Sequence, residues 1–134
     1  MSSIHWKFLR RLEEDREYVL VATTGLRFPW LSPRRMWRFQ EYTRGILAQL
    51  GRTEGCLGYS LRTRPLQGSS ISIWQNVDSL RQFQHQNPHA SAMEAFRSTT
   101  PRRFRYAQWK GSIRTLPHSW EEIDARLAAP GQSA

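Results

Sequence analysis

His89, directly after Pro88, is the residue in this sequence best suited to moving a proton. Its imidazole titrates near neutrality and can serve as general base, proton donor or axial metal ligand if it faces a pocket, while a histidine that caps its own helical turn is the structural alternative. His85 lies four residues earlier, a spacing that brings two ligands to one helix face. Pro88 between them spoils that geometry, and no carboxylate completes an HExxH arrangement, so no metal site is expected. Trp74, Tyr59, Tyr106 and Trp109 sit on segments with strand character and are candidate walls for a flat apolar ligand, or else ordinary core. Arg62 and Arg64 offer charge-assisted hydrogen bonds to a carboxylate or phenolate on that ligand, and Asn76 is a turn residue or, in the ligand-binding reading, an oxyanion donor. The single cysteine, Cys56, excludes an intramolecular disulfide and a cysteine-based zinc site; its apolar neighbours predict a small buried residue. No P-loop, GxGxxG or nucleophile-elbow motif occurs, so NTPase, dinucleotide-binding and ordinary hydrolase readings have no support.

These residues need elements to hold them. Residues 18–27 (YVLVATTGLR) are rich in β-branched types and read as a first strand. Ser32 as N-cap and Pro33 at the first helical position start a helix whose apolar residues run from Met36 to Leu50, and Gly51 stops it. Residues 55–64 and 69–76 are strand-length segments joined by PLQG, a hairpin. Asp78 is read as the N-cap of a second helix reaching to about residue 97, broken at Pro88 and restarting around His89. Residues 104–113 (FRYAQWKGSI) alternate as a fourth strand. Residues 117–127 form a closing helix with Ser119 as N-cap and Glu121 and Glu122 in its first turn. Trp6, Phe8, Leu9 and Leu12 give the opening arm an apolar side that needs a partner.

The order predicts an α+β, ferredoxin-like βαββαβ domain over residues 18–114, with a four-stranded antiparallel sheet. An N-terminal arm (1–17) precedes it, and a C-terminal helix with a frayed tail (115–134) follows. The two middle strands are apolar on both alternations: Leu57, Tyr59 and Leu61 against Cys56 and Gly58, and Ile71 and Ile73 against Trp74. Neither sheet face is then expected to meet water, and a second copy of the chain is the simplest cover, giving a homodimer.

At 134 residues, 39% hydrophobic, the chain has the size and composition of one globular domain. It contains no membrane-length apolar run, and the start MSSIHWKFLRR has no secretory h-region, so a cytoplasmic protein is expected. The net charge of +9 raises the question of nucleic acid. The basic residues are spread along the chain, however, and are nearly all arginine, with Lys7 and Lys110 the two lysines. Their densest group, Arg97, Arg102, Arg103, Arg105 and Lys110, marks either an anionic ligand or partner, or a solvated face. Nucleic acid is not the favoured partner.

The block EGCLGYSLRTRP…SISIWQNVDSLRQFQHQNPHASAM resembles the antibiotic-biosynthesis-monooxygenase-like superfamily of dimeric α+β barrels, within its branch of small uncharacterised bacterial proteins. The resemblance spans residues 18–109 and rests on three pieces: a glycine-containing strand after the first helix, a strand ending in Trp74 followed by the turn of residues 76–78, and a helix interrupted at Pro88 and His89. It implies a pocket in each subunit. Members include cofactor-free monooxygenases of polycyclic aromatics, haem-degrading enzymes, haem-dependent relatives such as spheroidene monooxygenase, mutarotases and proteins without known activity, so the fold does not fix the function. In the haem-degrading members an Asn on the first strand, a Trp and a helix His form the site. His89 matches that His, but YVLVATTGLR contains no Asn. The leading expectation is therefore a homodimer that binds a small hydrophobic or aromatic metabolite, as a cofactor-independent monooxygenase-like enzyme with His89 handling protons and Trp74 touching the ligand. A non-catalytic ligand-binding or stress-associated dimer is the alternative, ahead of haem binding.

Overall fold

Strand-forming residues at every second position, with small polar residues between them, pair into one antiparallel sheet. The computed structural model describes residues 3–11, 18–27, 33–64, 67–86, 89, 90, 94 and 104–128. In chain order the elements are β1 (Lys7–Phe8), β2 (Val19–Arg27), α1 (Pro33–Arg52), β3 (Cys56–Arg64), β4 (Gln67–Trp74), α2 (Val77–His85), β5 (Phe104–Gly111), a 3₁₀ turn (Ile113–Thr115) and α3 (Trp120–Ala128). The sheet order is β1-β3-β4-β2-β5. The ferredoxin-like arrangement is thus present, with five strands in place of the four expected. The added strand comes from the arm: Lys7 pairs with Tyr59 and Phe8 with Gly58. Gly58 permits this, because a Cβ there would lie 3.0 Å from Phe8 Cδ1 and 3.1 Å from the Lys7 carbonyl oxygen.

Several boundaries differ from the sequence reading. The N-cap of α2 is Asn76, whose Oδ1 accepts from the Ser79 N–H at 2.8 Å, so Asp78 falls inside the first turn, where its charge favours the helix dipole. Ser119 does stand before α3, with its Oγ 3.4 Å from the Glu122 N–H. The expected cap Ser32, Leu12, the basic residues Arg97, Arg102 and Arg103, and the tail 129–134 lie outside the described residues. So does most of the segment around Pro88, although residues 89, 90 and 94 are helical.

A register shift between Cys56 and Gly58 has larger consequences. One extra residue in a strand turns the side chains beyond it to the opposite face. Leu57 therefore packs on one side of the sheet while Tyr59 joins Cys56 on the other, where simple alternation put Leu57, Tyr59 and Leu61 together. On the first side, α1 and α2 cover Leu20, Ala22, Cys56 and Trp74. Cys56 is fully buried. Burial pushes its thiol up to about 12, with the Gly58 backbone hydrogen bond and then the nearby Arg10 offsetting only part of the shift. The folded thiol keeps its proton where an unfolded one loses it near 9.0, so stability falls as the pH rises from 9.0 toward about 12. Near neutral pH we expect a thiol reagent to label Cys56 no faster than the protein unfolds; rapid labelling of folded protein would contradict this burial.

The second side carries Val19, Val21, Leu57, Ile71 and Ile73. The sequence reading assigned its cover to a second copy, but the chain covers this side itself. Trp120, Ile123 and Leu127 of α3 pack on it together with Ile4, Trp6 and Leu116. The two flanking segments are tied to each other and to the sheet: the Ile4 N–H donates to the His118 carbonyl at 2.9 Å, Trp6 Nε1 to the Pro117 carbonyl at 3.2 Å, and Ser60 Oγ to the His5 carbonyl at 2.9 Å. Arg62 anchors α3 through two hydrogen bonds to the Asp124 carboxylate, at 2.7 and 3.2 Å, with its guanidinium 5.1 Å over the Trp120 ring.

Candidate functional site

The helix-covered face of the sheet bears small side chains at its centre: Ala22 and Thr24 on β2, and Gly68, Ser70 and Ser72 on β4. α1 cannot settle onto them, because Phe39, Thr43, Ile46, Leu47 and Leu50 recur at helical spacing as one bulky face. The mismatch leaves a cavity of about 120 Å³ between α1 and the sheet, closed at one end by Phe83, Gln84 and His89. Its walls are mostly apolar with a few hydroxyl and amide groups, the character of a small-molecule site.

His89 is held from two directions. Its backbone N–H donates to Gln49 Oε1 at 2.9 Å, and its ring packs on Phe83 with centroids 4.6 Å apart. Nδ1 lies 3.3 Å from the Gln84 carbonyl oxygen. A proton on Nδ1 satisfies that carbonyl and makes Nε2 the basic nitrogen of the ring. Gln49, buried within α1, is the residue that the sequence reading missed. Its Nε2 donates to the Phe83 carbonyl at 3.0 Å and the Gln86 carbonyl at 3.3 Å while its Oε1 receives His89, so one side chain straps α1 to the end of α2. A lone glutamine on an apolar helix face was the available signal. The serines were legible too, as the alternation Ser70, Ser72, Trp74 against Ile71 and Ile73.

The expected site residues divide between the two faces. Tyr59 and His89 line the cavity. Trp74 lies beneath it as fully buried core, 5.1 Å from Phe83 between ring centroids, with Nε1 donating to Ser72 Oγ at 2.7 Å. Tyr106 is on the same face: its hydroxyl accepts from Gln84 Nε2 at 3.0 Å and donates to Gln108 Oε1 at 2.7 Å. Burial raises its phenol above the usual value, and the Gln84 hydrogen bond opposes the rise. A chain of contacts thus joins Tyr106 through Gln84 to His89. Arg62 borders the cavity, but its guanidinium reaches Asp124 on the far side. Trp109 also lies on the far side, under Arg126 at 4.2 Å, and Arg64 lies at that side's edge. Asn76 is occupied as a helix cap.

No group of three His, Cys, Asp or Glu side chains that could hold a metal occurs among the described residues. Haem, which the resemblance brings into question, does not fit the described cavity: ligands of drug size need about 300–1,000 Å³, and β2 offers no Asn. None of the described helices is long and apolar enough to cross a membrane.

No protein-family model and no curated protein matches the sequence. Solved structures do match by shape. A mutant of SnoaB, a cofactor-independent oxygenase from Streptomyces nogalater, superposes with a TM-score of 0.54 at 16% identity, over 75% of this chain and 98% of its own. An antibiotic biosynthesis monooxygenase gives 0.58 at 12% identity over 69% and 97%. A conserved protein from Methanosarcina mazei gives 0.58 at 12% identity over 69% and 91%. Nearly all of each neighbour is therefore matched, while a quarter or more of this chain lies outside the match. The fold is that of the antibiotic-biosynthesis-monooxygenase-like proteins.

Proposed function

We propose that the protein binds a small, one-ring aromatic or similarly compact hydrophobic molecule in the cavity between α1 and the sheet, and oxidises it in the manner of a cofactor-independent monooxygenase. The carrying observation is the placing of His89, strapped by Gln49 and facing a mostly apolar cavity with Gln84 and Tyr106 behind it. A hydroquinone there would lose a hydroxyl proton to His89, and the electron-rich anion would react with dioxygen without a metal or flavin, one oxygen atom entering the ring as it becomes a hydroxyquinone and the other leaving as water. The description of one neighbour as a cofactor-independent oxygenase supports the reading. Cavity size restricts the substrate: a dry cavity of about 150 Å³ accommodates benzene, so about 120 Å³ favours one ring over the polycyclic substrates of the resemblance.

The described cavity walls come from α1, β2, β3, β4 and α2 with His89. A homodimer, expected from the two-faced apolar strands and from the resemblance, would in this molecule pair through a surface other than the α3-covered face, such as the outer edge of β5. A cytoplasmic location belongs to the same proposal.

The test is titration with simple phenols and hydroquinones, followed by tryptophan fluorescence, alongside oxygen uptake. Micromolar to millimolar saturation with oxygen consumption is expected, and Ser70→Phe, which fills the cavity floor, should abolish both while the protein stays folded. Saturable binding without oxygen uptake would leave a carrier or sensor; binding undiminished in Ser70→Phe would remove the cavity from the account.

A further inference from the structure

We infer that the far end of the sheet, beside α3, is a second binding site, which takes a small molecule bearing two or more phosphate or carboxylate groups. The sheet register brings four arginines to one face in two adjoining rows. Cross-strand pairing aligns Arg62, Ser69, Gly25 and Arg105 in one row, and Arg64, Gln67 and Arg27 in the next. They share the face of Val21, Ile71 and Ile73, because each is an even number of residues from a member of that set or is paired with one that is.

Arg27, Arg64 and Arg105 are exposed, and with Gln67 and Ser69 they line a groove of about 580 Å³. That is within the range of about 300–1,000 Å³ for small-molecule sites. Asp124 is the one carboxylate among the described lining residues, and Arg62 holds it at 2.7 Å. Arg27 and Arg105 stand diagonally on the adjoining strands β2 and β5, and Arg64 lies two strands from Arg27 beyond Gln67, so positive charge gathers at this end of the sheet and favours an anion within the groove. The planar guanidinium groups of Arg27 and Arg105, on adjoining strands, can each meet a different oxygen pair of one polyanion, and Arg64 adds positive charge beside them. Arg105 belongs to the basic group that stood out in the sequence; Lys110 does not join it, lying instead 4.7 Å over the Tyr18 ring.

A helix C-terminus also attracts cations, and α3 ends at this groove through Leu127. Three arginines from three strands go beyond that local need. The described lining contains no aromatic side chain of the kind on which single-stranded nucleic acids stack.

The test is calorimetric titration of the full chain with inorganic pyrophosphate and, separately, citrate in low-salt buffer, with thermal unfolding measured in parallel. Saturable binding and a rise in unfolding temperature are expected for at least one of them, and the stronger of the two assigns phosphate or carboxylate as the preferred group. Arg27→Gln and Arg105→Gln should each weaken binding about tenfold or more. Without anion, neither variant should unfold at a lower temperature than wild type, since each removes repulsion. Arg105→Lys, which keeps the charge but loses the fork, should fall between Arg105→Gln and wild type. The inference is overturned if wild type binds neither anion, if both glutamine variants bind as wild type does, or if a single-stranded oligonucleotide binds tightly where neither small anion does.

Discussion

Trp120→Ala is expected to lower the free energy of unfolding by about 3–5 kcal/mol, the usual cost of truncating a buried large aromatic residue. Trp120 is only 3% exposed and sits against the sheet among Val19, Val21, Ile71 and Ile73, with the Arg62 guanidinium over its ring. Removing the indole opens a void beneath α3 and takes the aromatic face from a cation that is itself buried. Domains of this kind are stable by about 5–15 kcal/mol, so such a loss is a large part of the total. Urea unfolding of wild type and variant measures it directly. Light scattering on the same samples has its own expected outcome: an unseated α3 bares a flat apolar sheet face, and the variant should associate as its concentration rises. A loss below about 1 kcal/mol, in the range of a surface substitution, would mean that α3 does not lie on the sheet in solution.

The second large effect concerns turnover. His89→Ala should lower the rate of phenol or quinol oxidation about 10²–10⁴-fold, the contribution of a positioned general base. Its unfolding transition should move little, since the ring is half-buried beyond the end of α2. Gln49→Leu tests positioning separately from chemistry. It removes the acceptor for the His89 N–H and the donor for two carbonyls of the α2 end, while leaving the imidazole in the molecule. We expect Gln49→Leu to lose kcat while keeping the fall in rate toward acidic pH that protonation of the base imposes, and His89→Ala to lose that acidic limb as well. A His89→Ala enzyme with wild-type turnover would place the base elsewhere and sink the assignment.

Most of the scaffold was legible in the sequence. β-branched runs, the Pro33 helix start, the PLQG connection and the polar first turn of α3 act locally, and each element lies close to its expected place. What alternation could not show was the shift at Cys56 and Gly58, because a bulge arises from pairing with β4 and leaves no mark in the strand's own residues. Once the register moves, Tyr59 comes to the cavity and Arg62 goes to Asp124. Trp109 and Tyr106 stand on opposite faces, as their odd and even positions require, so the expectation that both wall one ligand fails for Trp109. The cover supplied by α3 was hidden for another reason: its Trp120 and Ile123 spell an amphipathic helix, but a sequence does not say which apolar surface that helix will choose. The same limit applies to Arg27, Arg64 and Arg105, which are far apart along the chain and gather at one end of the sheet only through strand pairing.

The order of synthesis gives the self-sealed sheet a further consequence. β2, made early, sits in the sheet between β4 and β5, so one of its edges waits for residues 104–111. The apolar face itself stays bare until residues 116–127 have been made, and at about 5–20 residues per second that interval lasts seconds. A nascent chain of this protein therefore spends much of its elongation with a sheet-forming, water-averse surface in view. It should depend on ribosome-bound chaperones more than its modest size suggests, and stalling its translation just after β5 should yield the most aggregation-prone intermediate.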